Sequence, residues 1–210
     1  MIISSRRRFV FVHIPKTGGT SFMRAYEDRA AADDILIGDT PKARRRKARL
    51  DGLAVPGRLW KHSTLRDVGG LVPPDHFVCT LVRNPWDRLV SYYHWLRAQR
   101  FDHPAVRRAK VLDFKAFLRD PLIQAAEMRS PAASYVTRAD GALHCDAFVR
   151  VEHPEDYAPL WDHLGFRLTL LHLNRSERSR DWRDYYSAKE IAIVAQLAAD
   201  DIARFGYGPE

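Results

Sequence analysis

The stretch that decides the fold runs Phe9-Val-Phe-Val-His-Ile-Pro-Lys-Thr-Gly-Gly-Thr-Ser-Phe22. The run Phe9–Ile14, rich in Val and Phe with little alternation, reads as a strand buried on both faces of a parallel sheet. Gly18 and Gly19 let the chain turn sharply and approach a ligand closely. From Thr20 to Ala30 the apolar residues Phe22, Met23 and Tyr26 recur at helical spacing. The N–H groups that open such a helix have no intrahelical partner, and with the helix dipole they form an anion site. Lys16 adds a full charge, and Thr20 and Ser21 add hydroxyl donors. Strand, glycine loop and helix together point to a bound phosphate or phosphosulfate. The loop is not of the Walker type, which places Lys after the last glycine, immediately before Ser or Thr.

Working outward, three more apolar runs read as strands: Arg58–Lys61, His76–Val82 and Ala147–Val151. Pro85–Arg97 reads as a helix with Asn84 as N-cap and Pro85 at the first helical position, where a missing N–H costs nothing. Ser187 and Glu190 form a capping box ahead of one apolar stripe, Ile191, Val194, Ala195, Ala198, Ile202 and Phe205, which Gly206 ends. Alternating strands and helices predict an α/β sandwich around a mostly parallel sheet, as a single domain spanning 1–210.

Composition narrows the class. At 210 residues, 46% hydrophobic and 11% aromatic, the chain has the makeup of a folded globular domain. No stretch approaches the roughly 20 apolar residues needed to cross a bilayer, and Phe9–Val12 is too short for a signal-peptide core. The reading predicts no integral membrane association. Cys79 and Cys145 give neither a disulfide framework nor metal-ligand spacing, so the expected compartment is the cytoplasm. A net charge of +8 suggests an anionic partner. The densest charge lies at Lys42–Arg49, where six of eight residues are basic. It reads either as a solvated face or as a wall that meets an anionic acceptor.

A second motif follows the strand His76–Val82: Arg83-Asn84-Pro85-Trp86-Asp87-Arg88-Leu89-Val90-Ser91. Arg83 sits at the carboxyl end of a strand, where ligands of open α/β sheets bind. Ser91 lies nearly two turns into the next helix, so guanidinium and hydroxyl can converge on one phosphate.

Pro15–Ser21 and Arg83–Ser91 together resemble the sulfotransferases that use 3′-phosphoadenosine-5′-phosphosulfate (PAPS), in particular the carbohydrate branch that includes heparan sulfate 2-O-sulfotransferase. The resemblance implies the three-layer sulfotransferase fold, distantly like the P-loop kinases. It implies a 5′-phosphosulfate loop formed by Pro15, Lys16, Thr17, Gly18, Gly19, Thr20 and Ser21, and a 3′-phosphate element of Arg83 and Ser91. It implies PAPS as co-substrate, PAP (3′,5′-adenosine bisphosphate) as product, and no metal. A looser likeness runs through Phe148–Glu152 and Leu173–Ser179 to Phe205-Gly-Tyr207, and a late loop would bring Ser176 or Arg178 to the nucleotide.

Sulfuryl transfer needs mostly positioning and charge stabilisation. Lys16 would neutralise charge growing on the leaving phosphate. An alcohol acceptor also needs a base. His62, in Trp60-Lys61-His62-Ser63 between the two motifs, is the candidate, because in the resembling family a histidine after this strand serves. His13 reads as buried structure. Glu152 is open between an acceptor contact and an internal ion pair. The resemblance favours a sugar hydroxyl on a glycan or glycolipid, with tyrosine and small alcohols still open. A small P-loop-like kinase would need a Walker lysine and metal-binding carboxylates. A nucleic-acid-binding module would need a recognised motif beside the basic run. Neither signature is present, and no nucleic-acid partner is expected.

Overall fold

The computed structural model describes residues 1–170, 178–179 and 181–209. The chain forms two compact units: Met1–Val82 with Ala132–Leu173, and Arg83–Pro131 with Asn174–Glu210.

The first unit is built on a five-stranded sheet in the order β3-β1-β2-β4-β5. Its strands are β1 (Ile2–Ser4), β2 (Phe9–Val12), β3 (Ile35–Leu36), β4 (Phe77–Val82) and β5 (Ala147–Arg150). β2, β4 and β5 run parallel, with Val12 opposite Thr80 and Thr80 opposite Phe148. β1 joins β2 and β3 antiparallel. Phe9 and Phe11 face α1 (Gly19–Glu27) and α9 (Ala158–Leu164), packing with Phe22, Met23, Tyr26 and Leu160. Val10 and Val12 face the other way, toward Leu65 and Val68 of α3 (Leu65–Val68) and Val136, just after α8 (Ala132–Tyr135). A strand whose alternate residues are all buried needs helices on both sides, which explains the run without alternation. The Phe11 and Phe22 ring centroids lie 4.3 Å apart. Each fully buried side chain of this kind contributes about 1.5–3 kcal/mol.

Three expected strands form within a residue or two of their predicted ends, but Arg58–Lys61 does not. Its backbone is tied into a turn: the buried Ser63 hydroxyl donates to the Arg58 and Trp60 carbonyls, and its oxygen accepts the Trp60 N–H. Asp67 packs close against Gly57, where an added Cβ would lie 2.4 Å from the carboxylate. Edge strands β1 and β3, of three and two residues, carry too short a pattern to stand out.

The second unit is helical. Its core is made by Trp86, Leu89, Val90, Tyr93 and Leu96 of α4 (Pro85–Arg97) with Val106, Phe117, Ile123, Trp182 and Val194. Asn84 caps α4 as predicted, its Oδ1 accepting the Trp86 and Asp87 N–H groups. The stretch 98–131, for which the sequence reading made no assignment, holds α5 (Pro104–Val111), α6 (Phe114–Arg119) and α7 (Pro121–Met128). His103, Asp113 and Asp120 cap them. The Ser187–Glu190 capping box forms, and Gly206 ends the chain's last helix in the left-handed conformation, with φ of 67°. The single helix expected there is two, α10 (Ala188–Leu197) and α11 (Ala199–Phe205), broken at Ala198. Asp200 and Asp201 fall in the first turn of α11, where the helix dipole favours negative charge.

The basic run also divides. It spans α2 (Pro41–Arg45) and a 3₁₀ turn, Lys47–Leu50. Lys42 donates to the Glu27 carbonyl and Arg49 to that of Ala32, while Arg46 donates to Ala31 at 2.8 Å and Asp34 at 3.2 Å. These three side chains satisfy carbonyls at and beyond the end of α1, where positive charge is favoured. Arg44, Arg45 and Lys47 point outward. Arg46→Ala should therefore lower the melting temperature by several degrees, the effect of about 1–3 kcal/mol from unpaired buried carbonyls. The triple change of Arg44, Arg45 and Lys47 to Glu should leave it nearly unchanged. Thermal melts of the two variants check this, and equal shifts would refute the division.

Candidate active site

In the first unit the loop after β2 has an unusual backbone. Lys16 takes φ of 66° and Gly18 φ of 83°. For a lysine this region costs about 1–2 kcal/mol, and such strain concentrates at ligand sites. Thr17 is buried, its hydroxyl donating to the Ile14 carbonyl at 2.9 Å, so its side chain closes the loop and only its N–H can face a ligand. Pro15 has no N–H and shapes the turn. The Ser21 and Phe22 N–H groups return to the Gly18 carbonyl at 3.0 and 3.2 Å. Among the described residues no side chain caps α1, and no acidic residue sits in its first turn. The start of α1 is thus an uncapped, positively polarised end beside Lys16, with Thr20 and Ser21 half-buried.

His13 ties this loop to the candidate base. Its ring occupies the space beside Gly19, where an added Cβ would lie 2.1 Å from His13 Cδ2, so only glycine fits there. Its carbonyl faces His62 Nδ1 at 2.8 Å. A carbonyl can only accept, so Nδ1 carries the hydrogen and neutral His62 presents Nε2 as an acceptor. The two rings meet edge to face, with centroids 4.6 Å apart. Burial pulls the His62 pKa down to about 4, against the hydrogen bond to His13, which raises it; Lys61 lowers it further. Burial likewise holds His13 well below its ordinary value, and its Nδ1 is buried with no partner among the described residues. Sequence reading placed His13 as buried structure and missed that it positions His62. Its place directly before the loop, at the end of a buried strand, was the available signal.

Around His62 lie two exposed features. The Trp60 indole is 46% exposed and meets the His62 ring edge to face, with centroids 5.1 Å apart. Lys61 pairs with Asp39 at 2.9 Å. Glu152 is exposed in the turn after β5. A separate cavity of about 420 Å³ runs along α1 between Arg24, Asp28 and Arg29 and the segment Arg167–Thr169. It shares only Ser21 with the loop and includes neither Lys16 nor His62. Cys79 is fully buried, and burial pushes its thiol well up, as expected for an inert cysteine.

In the second unit Arg83 and Arg178 come together on Asp87, one turn of α4 before Ser91. Arg83 Nε lies 2.7 Å and its Nη2 2.5 Å from Asp87 Oδ2, and Arg178 Nη2 lies 2.5 Å from Oδ1. Asp87 is in the first turn of α4, where its charge suits the helix dipole. It holds two guanidiniums side by side, one turn before the buried Ser91. Arg83 and Arg178 stand 95 positions apart, so no spacing in the sequence announces this pairing. Arg88, by contrast, pairs with Glu127 at 2.6 Å. Ser176 lies outside the described residues, as does most of the late loop.

Parallel strands, with a glycine-containing loop after β2 and an arginine directly after β4, define an α/β fold with charged groups at the carboxyl ends of its strands. The chain belongs to the sulfotransferase family, whose model matches residues 1–163. The fold is similar to that of mouse sulfotransferase SULT7A1 in its crystal structure with PAP, at a TM-score of 0.50 and 14% identity. That match covers 97% of this chain and 87% of the mouse chain. No curated protein matches the sequence.

Proposed function

We propose that this enzyme transfers a sulfuryl group from PAPS to a carbohydrate hydroxyl, with His62 as general base and Lys16 stabilising the leaving phosphate. The reading is carried by one observation: an uncapped helix start with Lys16 is linked through His13 to a histidine whose free Nε2 is held ready to accept a proton. The donor's 5′-phosphosulfate is assigned to the loop Pro15–Ser21 and its 3′-phosphate to Arg83, Ser91 and Arg178. A spent PAP is the product. A sugar acceptor of the kind used by the heparan sulfate branch is supported by the exposed Trp60 beside His62, since an indole face suits a pyranose ring. Arg44, Arg45 and Lys47 suit an acidic glycan.

The first test needs no acceptor. PAP should raise the melting temperature more than AMP at equal concentration, because a ligand specific to the native state stabilises it by an amount that grows with the logarithm of its affinity. Equal shifts from the two nucleotides would end the assignment of Arg83 and Ser91 to a 3′-phosphate.

A further inference from the structure

Asp87, Ser91 and His94 fall at i, i+4 and i+7 of α4, on one face of the helix. Asp87 engages Arg83 and Arg178 through its two oxygens. Two side-chain nitrogens near this face are buried without any partner among the described residues, Arg178 Nη1 and His94 Nε2. An unpaired buried polar group costs about 1–3 kcal/mol, and a bound ligand is one of the explanations for keeping one. Burial, then the charges of Arg178 and Arg97, hold the His94 ring below its ordinary value, which places Arg178 in its neighbourhood. His94 is also fixed in orientation: the rings of Tyr93 and Tyr185 meet it edge to face, at 5.4 and 5.2 Å between centroids. A cation and an imidazole with no acceptor among the described residues, on the helix face that also carries Ser91 and the Asp87-bound Arg83, suit an oxyanion.

We propose that His94, through Nε2, is a further ligand of the anion held by Arg83, Ser91 and Arg178. On the functional reading above, that anion is the donor's 3′-phosphate. His94 Nε2–H donates to a phosphate oxygen, Arg178 Nη1 donates beside it, and Asp87 keeps both guanidiniums in place without touching the ligand. The sequence offered no sign of this role, since His94 reads as an ordinary helical residue between two aromatics.

The test measures dissociation constants for PAP and AMP in wild type, His94→Phe and His94→Gln. Phenylalanine keeps the ring volume and removes the donor; glutamine keeps a donor. His94→Phe should weaken PAP by about tenfold to a hundredfold, the effect of losing one hydrogen bond to a charged group, and leave AMP unchanged. His94→Gln should stay within about threefold of wild type for PAP on the same ground. Normal PAP binding by His94→Phe, with wild type still preferring PAP to AMP, would overturn the role of His94 alone. Parallel loss of PAP and AMP would reveal damage to the fold and overturn it equally. A wild type that binds PAP and AMP alike would overturn the 3′-phosphate reading instead.

Discussion

Replacing His62 with alanine should lower turnover by roughly two to four orders of magnitude, the usual worth of a general base, while PAP still raises the melting temperature as it does in wild type. A sugar hydroxyl is a poor nucleophile until its proton leaves. In a loose transition state the attacking oxygen contributes little bonding early and becomes strongly acidic only as the new sulfur–oxygen bond forms. A base of pKa about 4 is sufficient for so late a transfer. The same value sets the pH profile. The base works only when unprotonated, so activity is lost as pH falls through its pKa. The acid limb of kcat/KM should therefore lie below 6.5, the ordinary value, and toward about 4. A limb at or above 6.5 would exclude His62. So would an alanine variant that binds PAP and turns over within roughly tenfold of wild type, far short of the usual effect. Glu152, exposed after β5, would be the next residue to test.

Lys16→Ala should cost at least two to three orders of magnitude in turnover, as expected when a preorganised charge facing the developing anion is removed. The fold should survive, because Lys16 is half-exposed in a loop whose closure rests on Thr17 and Ile14. A second substitution separates catalysis from stability. Lys16→Gly also loses the charge but relieves a left-handed backbone that suits glycine best. It should melt at or slightly above wild type and be as inactive as the alanine variant. Near-normal turnover in either variant removes Lys16 from the mechanism. A clearly lower melting temperature for Lys16→Gly would show that the lysine side chain, not only its charge, holds the loop.

The loop and Arg83–Ser91 were readable from sequence because each is local: strand, turn and helix start follow one another within a dozen residues. The sheet's central strands were readable for the same reason, since β2 and β4 are buried on both faces. What escaped reading depends on distant or competing contacts. Arg58–Lys61 carries strand-like residues, yet Ser63 folds that backbone into a turn, and His62 owes its position to the His13 carbonyl rather than to a strand end. The second Asp87 partner, Arg178, is brought to it only by the folded chain. Lys42, Arg46 and Arg49 looked like a surface charge run and instead satisfy backbone carbonyls near the end of α1.

The hydrogen bond from His62 to a carbonyl, rather than to a carboxylate, also governs how the enzyme readies itself for another round. Among the described residues a carbonyl, not a carboxylate, partners the ring's other nitrogen, and burial outweighs the distant charge of Asp39, so an imidazolium formed there is more acidic than a free one. It sheds its proton to water at any pH near neutrality without help from a second residue. On the proposed reading, regeneration of the base then needs no second residue beside it.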